Sequence, residues 1–244
     1  MKKMPPGESP PGSRNWESCF KAIDGAVEKT VLPSVSFIAG ENSGVTFPKT
    51  EVLGKPQDSS AFRILVSTMI SLRTKDEVTL PASLRLFARA SGPEEMAGLT
   101  EDEIAKLIFP AGFYRTKAAN ILKASQILLA RHGGQVPPRR EDLLALPGVG
   151  PKTASLVLSL AFGIPAICVD THVHRVSNRL GWINTKTPPD SEAALMEILP
   201  QEHWISLNER LIFFGQQICT PLSPHCSRCP LGPDCPRIGV GRSR

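Results

Sequence analysis

Four cysteines crowd one stretch of this chain, Cys219, Cys226, Cys229 and Cys235, in the pattern C-x6-C-x2-C-x5-C. Thiolates so closely spaced can enclose one metal centre. Four of them suit zinc or an iron–sulfur cluster, and spacing alone does not choose. Cys19 and Cys168 are left over; each is flanked by apolar or helical residues and reads as a core thiol. No secretory h-region or Arg-rich presequence is evident, so a reducing compartment is expected, and with it metal before disulfide.

A second constellation lies at 141–162, EDLLALPGVGPKTASLVLSLAF. One apolar helix runs into Leu146-Pro147-Gly148-Val149-Gly150. Another opens at Pro151, whose missing N–H costs little in a first turn. Gly148 and Gly150 permit unusual backbone angles and leave the hairpin bare of side chains. The N–H groups of the hairpin and of the next first turn then converge on one spot that suits an anion, such as a DNA phosphate. A lone GxG would be a tight turn between two core helices; the full string LPGVGPKTA is more specific. Lys152 stands in that first turn. Asp170 follows 18 residues later in Val169-Asp170-Thr171-His172, which also reads as a helix cap.

The elements that must position these groups read as helices. Apolar spacing of helical period marks 16–27 (Trp16, Phe20, Ile23, Val27), 75–90, 101–108, 115–132, 141–145, 152–162, 172–180, 192–199 and 204–218. The stretch 61–72, AFRILVSTMISL, is apolar nearly all round and so belongs in a core. Turn signals at Ser91-Gly92-Pro93, His132-Gly133-Gly134, Pro137-Pro138 and Pro188-Pro189 separate them, and a Gly-, Pro- and Ser-rich loop spans about 32–59. Nothing alternates as a strand does, so the expected fold is all-α. The 244 residues, 41% hydrophobic, suffice for one large or two small domains. A net charge of +5 and a pI near 9.0 favour a polyanion partner only modestly. No run of about 18 apolar residues exists, so no membrane span is expected. Met1–Gly12 reads as a short disordered arm.

LPGVGPKTA followed by VDTHVHRVSNRL resembles the helix-hairpin-helix DNA glycosylase superfamily. LIFPAGFYRTKA (107–118) and FFGQQICTP (213–221) resemble its iron–sulfur branch, the endonuclease III family. The resemblance covers roughly residues 60–237. It implies two helical domains flanking a DNA-binding cleft. A helical barrel (54–164) carries the hairpin, and a cluster domain (165–244) holds the four-cysteine loop (219–235). The N-terminal helix and loop (14–53) pack with the cluster domain, behind an arm at 1–13. It also implies a 4Fe-4S cluster on Cys219, Cys226, Cys229 and Cys235, tying a loop whose His225, Arg228 and Arg237 face phosphate.

By the same resemblance, Lys152 and Asp170 are the catalytic pair of a bifunctional DNA glycosylase and abasic-site lyase acting on oxidised pyrimidines. The amine must be neutral to attack C1′ of the deoxyribose. The positive end of the helix dipole disfavours the ammonium, and partial burial would push the same way. The contacts expected on DNA are Leu146, Gly148, Val149 and Gly150 in the hairpin, His172 at its helix start, Arg228, and two wedges. One wedge is Arg73, where the family carries glutamine. The other is Phe113, whose alternative is a staple onto the following helix. The partner is double-stranded DNA with damaged bases or abasic sites, bound by a monomer, cytoplasmic at the nucleoid or nuclear in a eukaryote. Two other readings remain: a monofunctional adenine-mismatch glycosylase, which typically lacks the lysine, and a non-catalytic DNA-binding module.

Overall fold

Apolar residues at helical spacing, punctuated by proline and glycine, fold here as they should: into helices joined by short turns. The structure is a computed structural model and describes residues 15–27, 35, 38 and 57–244. The arm at 1–13 lies outside the described residues, as does most of the 32–59 loop. Among the described residues the regular elements are helical, with no strand. In chain order they are α1 (Trp16–Ala26), α2 (Gln57–Ser71), α3 (Asp76–Arg89), α4 (Pro93–Ala97), α5 (Glu101–Ile108), α6 (Tyr114–His132), α7 (Arg140–Leu144), α8 (Pro151–Phe162), α9 (Thr171–Arg179), α10 (Pro188–Ile198) and α11 (Trp204–Gln217).

Three expectations about boundaries are corrected. Pro93 and Pro188, read as turn signals, are the first residues of α4 and α10, where a missing N–H is harmless. Residues 57–59, read as loop, already belong to α2, and Val35 and Ile38 are helical and buried.

The chain divides into two compact units, one drawn from Val31–Ala166 and the other from Met1–Thr30 with Ile167–Arg244. In the first, α2 is the central helix. It packs on α3, α6 and α8, and Phe62, Ile64, Leu65, Met69 and Ile70 are all but inaccessible. Each such side chain stabilises by roughly 1.5–3 kcal/mol relative to exposure. Arg63 on α2 lies with its guanidinium over the Phe87 ring at 5.1 Å.

In the second unit, α1, α9, α10 and α11 surround Phe20, Ile23, Val173, Val176, Leu195, Leu207, Leu211 and Phe214. Asn15 caps α1 by accepting from Ser18 N at 2.9 Å. Trp16 meets Trp182 edge-on at 5.1 Å, and Arg210 donates to Asp24 at 3.1 Å, fixing α1 on α11.

Candidate active site

The hairpin between α7 and α8 is built as its sequence requires. Leu146 and Val149 are 2% and 7% exposed, so their side chains anchor the turn in the core and only their backbone remains for a ligand. Val149 N–H turns inward to Leu146 O at 3.1 Å. Gly148 has φ +78°, and a Cβ there would stand 2.8 Å from Asn120 Nδ2. Both facts exclude a side chain. Among the described residues no acceptor takes the N–H of Gly148 or Gly150. These groups lie beside the first turn of α8, where the helix dipole is positive.

Lys152 is the second residue of α8 and is exposed. Burial therefore adds nothing to the helix dipole at this amine. The reason lies in the helix: Thr153, Ala154, Val157 and Leu158 take the buried face, which leaves position 152 outside.

In the other unit Asp170 caps α9. Its Oδ1 accepts from His172 N at 2.9 Å and Val173 N at 2.8 Å. Both bonds use one oxygen, so capping leaves Oδ2 for other chemistry. His172 Nδ1 lies 3.2 Å from Arg175 Nη2. A guanidinium only donates, so a neutral His172 accepts there and carries its proton on Nε2.

The four clustered cysteines line one pocket that includes open solvent and has an empty volume of about 310 Å³, walled by Leu180, Phe214, Ile218 and Val240. Among the described residues no three ligand side chains stand close enough to hold a single metal ion. A tetrahedral zinc with bonds of 2.3 Å needs its sulfurs within about 3.8 Å of one another. Burial pushes the Cys229 and Cys235 thiols up, and their thiol neighbours add to the shift.

Two arginines that the sequence did not single out organise this pocket. Arg179 is buried and donates to Thr220 O at 2.7 Å and Pro221 O at 2.5 Å, with Cys219 Sγ at 3.7 Å. Arg175 donates to Gly215 O at 3.0 Å and Cys219 O at 3.1 Å, and burial lowers its pKa. Their signal was a spacing of four on α9, with Arg179 lying in the stripe of Val173, Val176 and Leu180. Arg228 is exposed but tied by Nη2 to Gln217 O at 3.0 Å.

The two expected wedges are brought together. The guanidinium of Arg73 lies over the Phe113 ring at 5.6 Å. Phe113 is 64% exposed, so the ring does not staple its helix. Arg73 and Phe113 have φ of 52° and 57°, the left-handed region. For non-glycine residues that conformation costs roughly 1–2 kcal/mol each, and it persists where the surroundings over-determine it.

Lys117 supplies those surroundings and was not foreseen. It is 7% exposed and donates to Ile70 O and Leu72 O at 2.6 Å each and to Thr74 Oγ1 at 2.7 Å. Burial lowers its pKa to about 8. Its signal was a lysine on the buried stripe of α6 beside Ala118 and Ile121.

Comparison with known proteins agrees with the all-helical fold. Residues 66–201 match the model of the HhH-GPD superfamily of base excision DNA repair proteins. Endonuclease III of Thermotoga maritima is 46% identical over 191 residues, covering 77% of this chain and 90% of its own. Endonuclease III homolog 2, chloroplastic, of Arabidopsis thaliana is 39% identical over 231 residues, 91% of this chain; the chain spans 58% of that relative's length. The structure of a trapped endonuclease III–DNA covalent intermediate, an estranged-adenine complex, superposes with a TM-score of 0.71 at 32% identity, covering 92% of this chain and 97% of that one. This chain belongs to the HhH-GPD superfamily of base excision DNA repair proteins and, within it, to the endonuclease III family.

Proposed function

We propose that this protein is a bifunctional DNA glycosylase and abasic-site lyase that removes oxidised pyrimidines from duplex DNA. One observation carries the reading: an exposed amine, Lys152, stands in the first turn beyond a hairpin in which, among the described residues, the Gly148 and Gly150 N–H groups lack internal acceptors. The hairpin grips a phosphate through backbone donors and carries no sequence information. It holds the strand while Lys152 reaches the sugar.

The neutral Lys152 amine attacks C1′. The bond from C1′ to the base breaks, and the base leaves with the bonding pair and takes up a proton. Asp170 supports the cationic sugar that develops as the base departs. The attached nitrogen gives up one of its two protons, the C1′–O4′ bond breaks, O4′ takes up a proton, and a protonated imine forms between Nζ and C1′. The imine acidifies C2′–H. Removal of that proton expels the 3′ phosphate by β-elimination and cuts the strand. Because Lys152 is exposed, the dry environment this chemistry favours must come from the DNA that covers it.

The donor set of Cys219, Cys226, Cys229 and Cys235 suits a 4Fe-4S cluster, which would cross-link the loop between α11 and the chain end. Arg179 and Arg175 hold that loop's carbonyls from α9, so Arg228 is presented from a fixed backbone. Arg73 and Phe113 enter the stack when the damaged nucleotide leaves it. No described helix is long and apolar enough to cross a membrane.

Borohydride trapping on a duplex with a ring-saturated pyrimidine tests the reading. A covalent adduct that releases the base and maps to Lys152 is expected. Base release with no adduct would overturn the lyase assignment in favour of a monofunctional glycosylase.

A further inference from the structure

Two side chains that enter DNA from separate loops must arrive together, and nothing in their local sequence couples positions 73 and 113. The coupling comes from a buried cation. Helix α2 ends at Ser71, and its last carbonyls form the negative end of the helix dipole. Lys117 from α6 reaches that end and places its three N–H donors on Ile70 O, Leu72 O and Thr74 Oγ1. Thr74 Oγ1 in turn accepts from Gly112 N at 3.1 Å, directly before Phe113. One ammonium thus fixes the backbone on both sides of Arg73 and, through one hydroxyl, the backbone before Phe113. Glycine is the usual residue where a chain leaves a helix in the left-handed region. Here that position holds an exposed arginine, and the clamp beneath it satisfies the helix end.

We propose that Lys117 is a positioning residue that holds Arg73 and Phe113 as one pre-assembled wedge. The inference rests on the reading of those two residues as wedges. Lys117 does not touch DNA; it acts through the loop 72–74 and the turn at 112–113. A wedge assembled in advance loses little freedom on binding, so base extrusion is faster than with two independent loops.

The test compares two rates in each preparation of full-length protein. The first is single-turnover excision of a ring-saturated pyrimidine from duplex, which needs extrusion. The second is strand cleavage at a preformed abasic site in single-stranded DNA, which does not. A merely structural lesion lowers the active fraction and moves both rates alike, leaving their ratio fixed. Lys117→Met is expected to lower the ratio on the order of tenfold, the scale of a misplaced contact. Thr74→Val keeps the bonds of Lys117 to the two carbonyls but cuts the link to Gly112; it should lower the ratio by a smaller factor. If Lys117→Met does not fold by circular dichroism, Thr74→Val decides. Wild-type ratios in Lys117→Met and Thr74→Val, beside a lowered ratio in Arg73→Ala and Phe113→Ala, would overturn the positioning role alone. Wild-type ratios in Arg73→Ala and Phe113→Ala would overturn the wedge reading and this inference with it.

Discussion

A Cβ on Gly112 would stand 2.6 Å from the carbonyl oxygen of Arg73. The obstacle is backbone, so no rotamer change relieves it. Gly112→Ala should therefore force the turn at 112–113 away from the loop 72–74, stretching the bond from Gly112 N to Thr74 Oγ1. A cost of about 1–3 kcal/mol in urea unfolding is expected, as for other overpacked sites. A change below about 0.5 kcal/mol, the ordinary scatter of surface substitutions, would show that the two loops part freely.

The same contact carries a pH dependence through Lys117. Its folded value of about 8 lies below the usual 10.5, because burial disfavours the charge. Below pH 8 both folded and unfolded chains hold the proton. Between about 8 and 10.5 the unfolded chain binds more protons, so this residue's contribution to stability rises with pH across that window. The neutral amine has only two hydrogens for three acceptors, so the wedge loosens as stability gains. The urea midpoint of wild type relative to Lys117→Met should climb from pH 8 to 10. A flat difference would mean that Lys117 titrates elsewhere.

Much of this was legible because its causes are local. Trp16, Phe20 and Ile23 mark α1 by spacing alone, LPGVGPKTA writes its turn in glycine and proline, and four close cysteines announce a common site. What was missed depends on partners distant in sequence. Lys117 is read correctly only once Ile70 and Leu72 are beside it, more than forty residues away. Whether Lys152 is buried depends on which face α8 turns to its neighbours. Pro93 and Pro188 misled because the same residue stops one helix and starts another.

Lys152→Gln should abolish both strand cleavage and borohydride trapping while leaving duplex affinity within about twofold, on the reading that the hairpin binds through backbone donors. Electrophoretic mobility shifts beside a trapping gel would measure both. Strand cleavage at the wild-type rate in the mutant would remove Lys152 from the chemistry.

Freshly purified protein should be yellow-brown, with iron and acid-labile sulfide near about four of each per chain. Arg179→Ala should speed cluster loss under air, because Arg179 holds Thr220 O and Pro221 O between the first two cysteines. Stoichiometric zinc without iron in anaerobically prepared protein would overturn the cluster assignment.

Arg73 stands where the family resemblance leads one to expect glutamine, and the difference should be readable in the choice of opposite base. The guanidinium is held over Phe113 and exposed; if it fills the space that the damaged nucleotide vacates, it meets the orphan base. Guanine offers two acceptors, O6 and N7, whereas adenine pairs its N7 with a donor at N6. A group that only donates suits the first pattern better. A good bidentate contact is worth roughly 1–3 kcal/mol, or about five- to a hundredfold in rate. Excision of one lesion should therefore be faster opposite guanine than opposite adenine, with a smaller difference in Arg73→Gln. If Arg73 instead turns to a phosphate, Arg73→Gln weakens binding to every duplex alike and lowers the salt dependence by about one unit of slope. Single-turnover rates opposite all four bases separate the two. Equal orphan-base ratios in wild type and mutant would exclude base readout by Arg73, whatever happened to affinity.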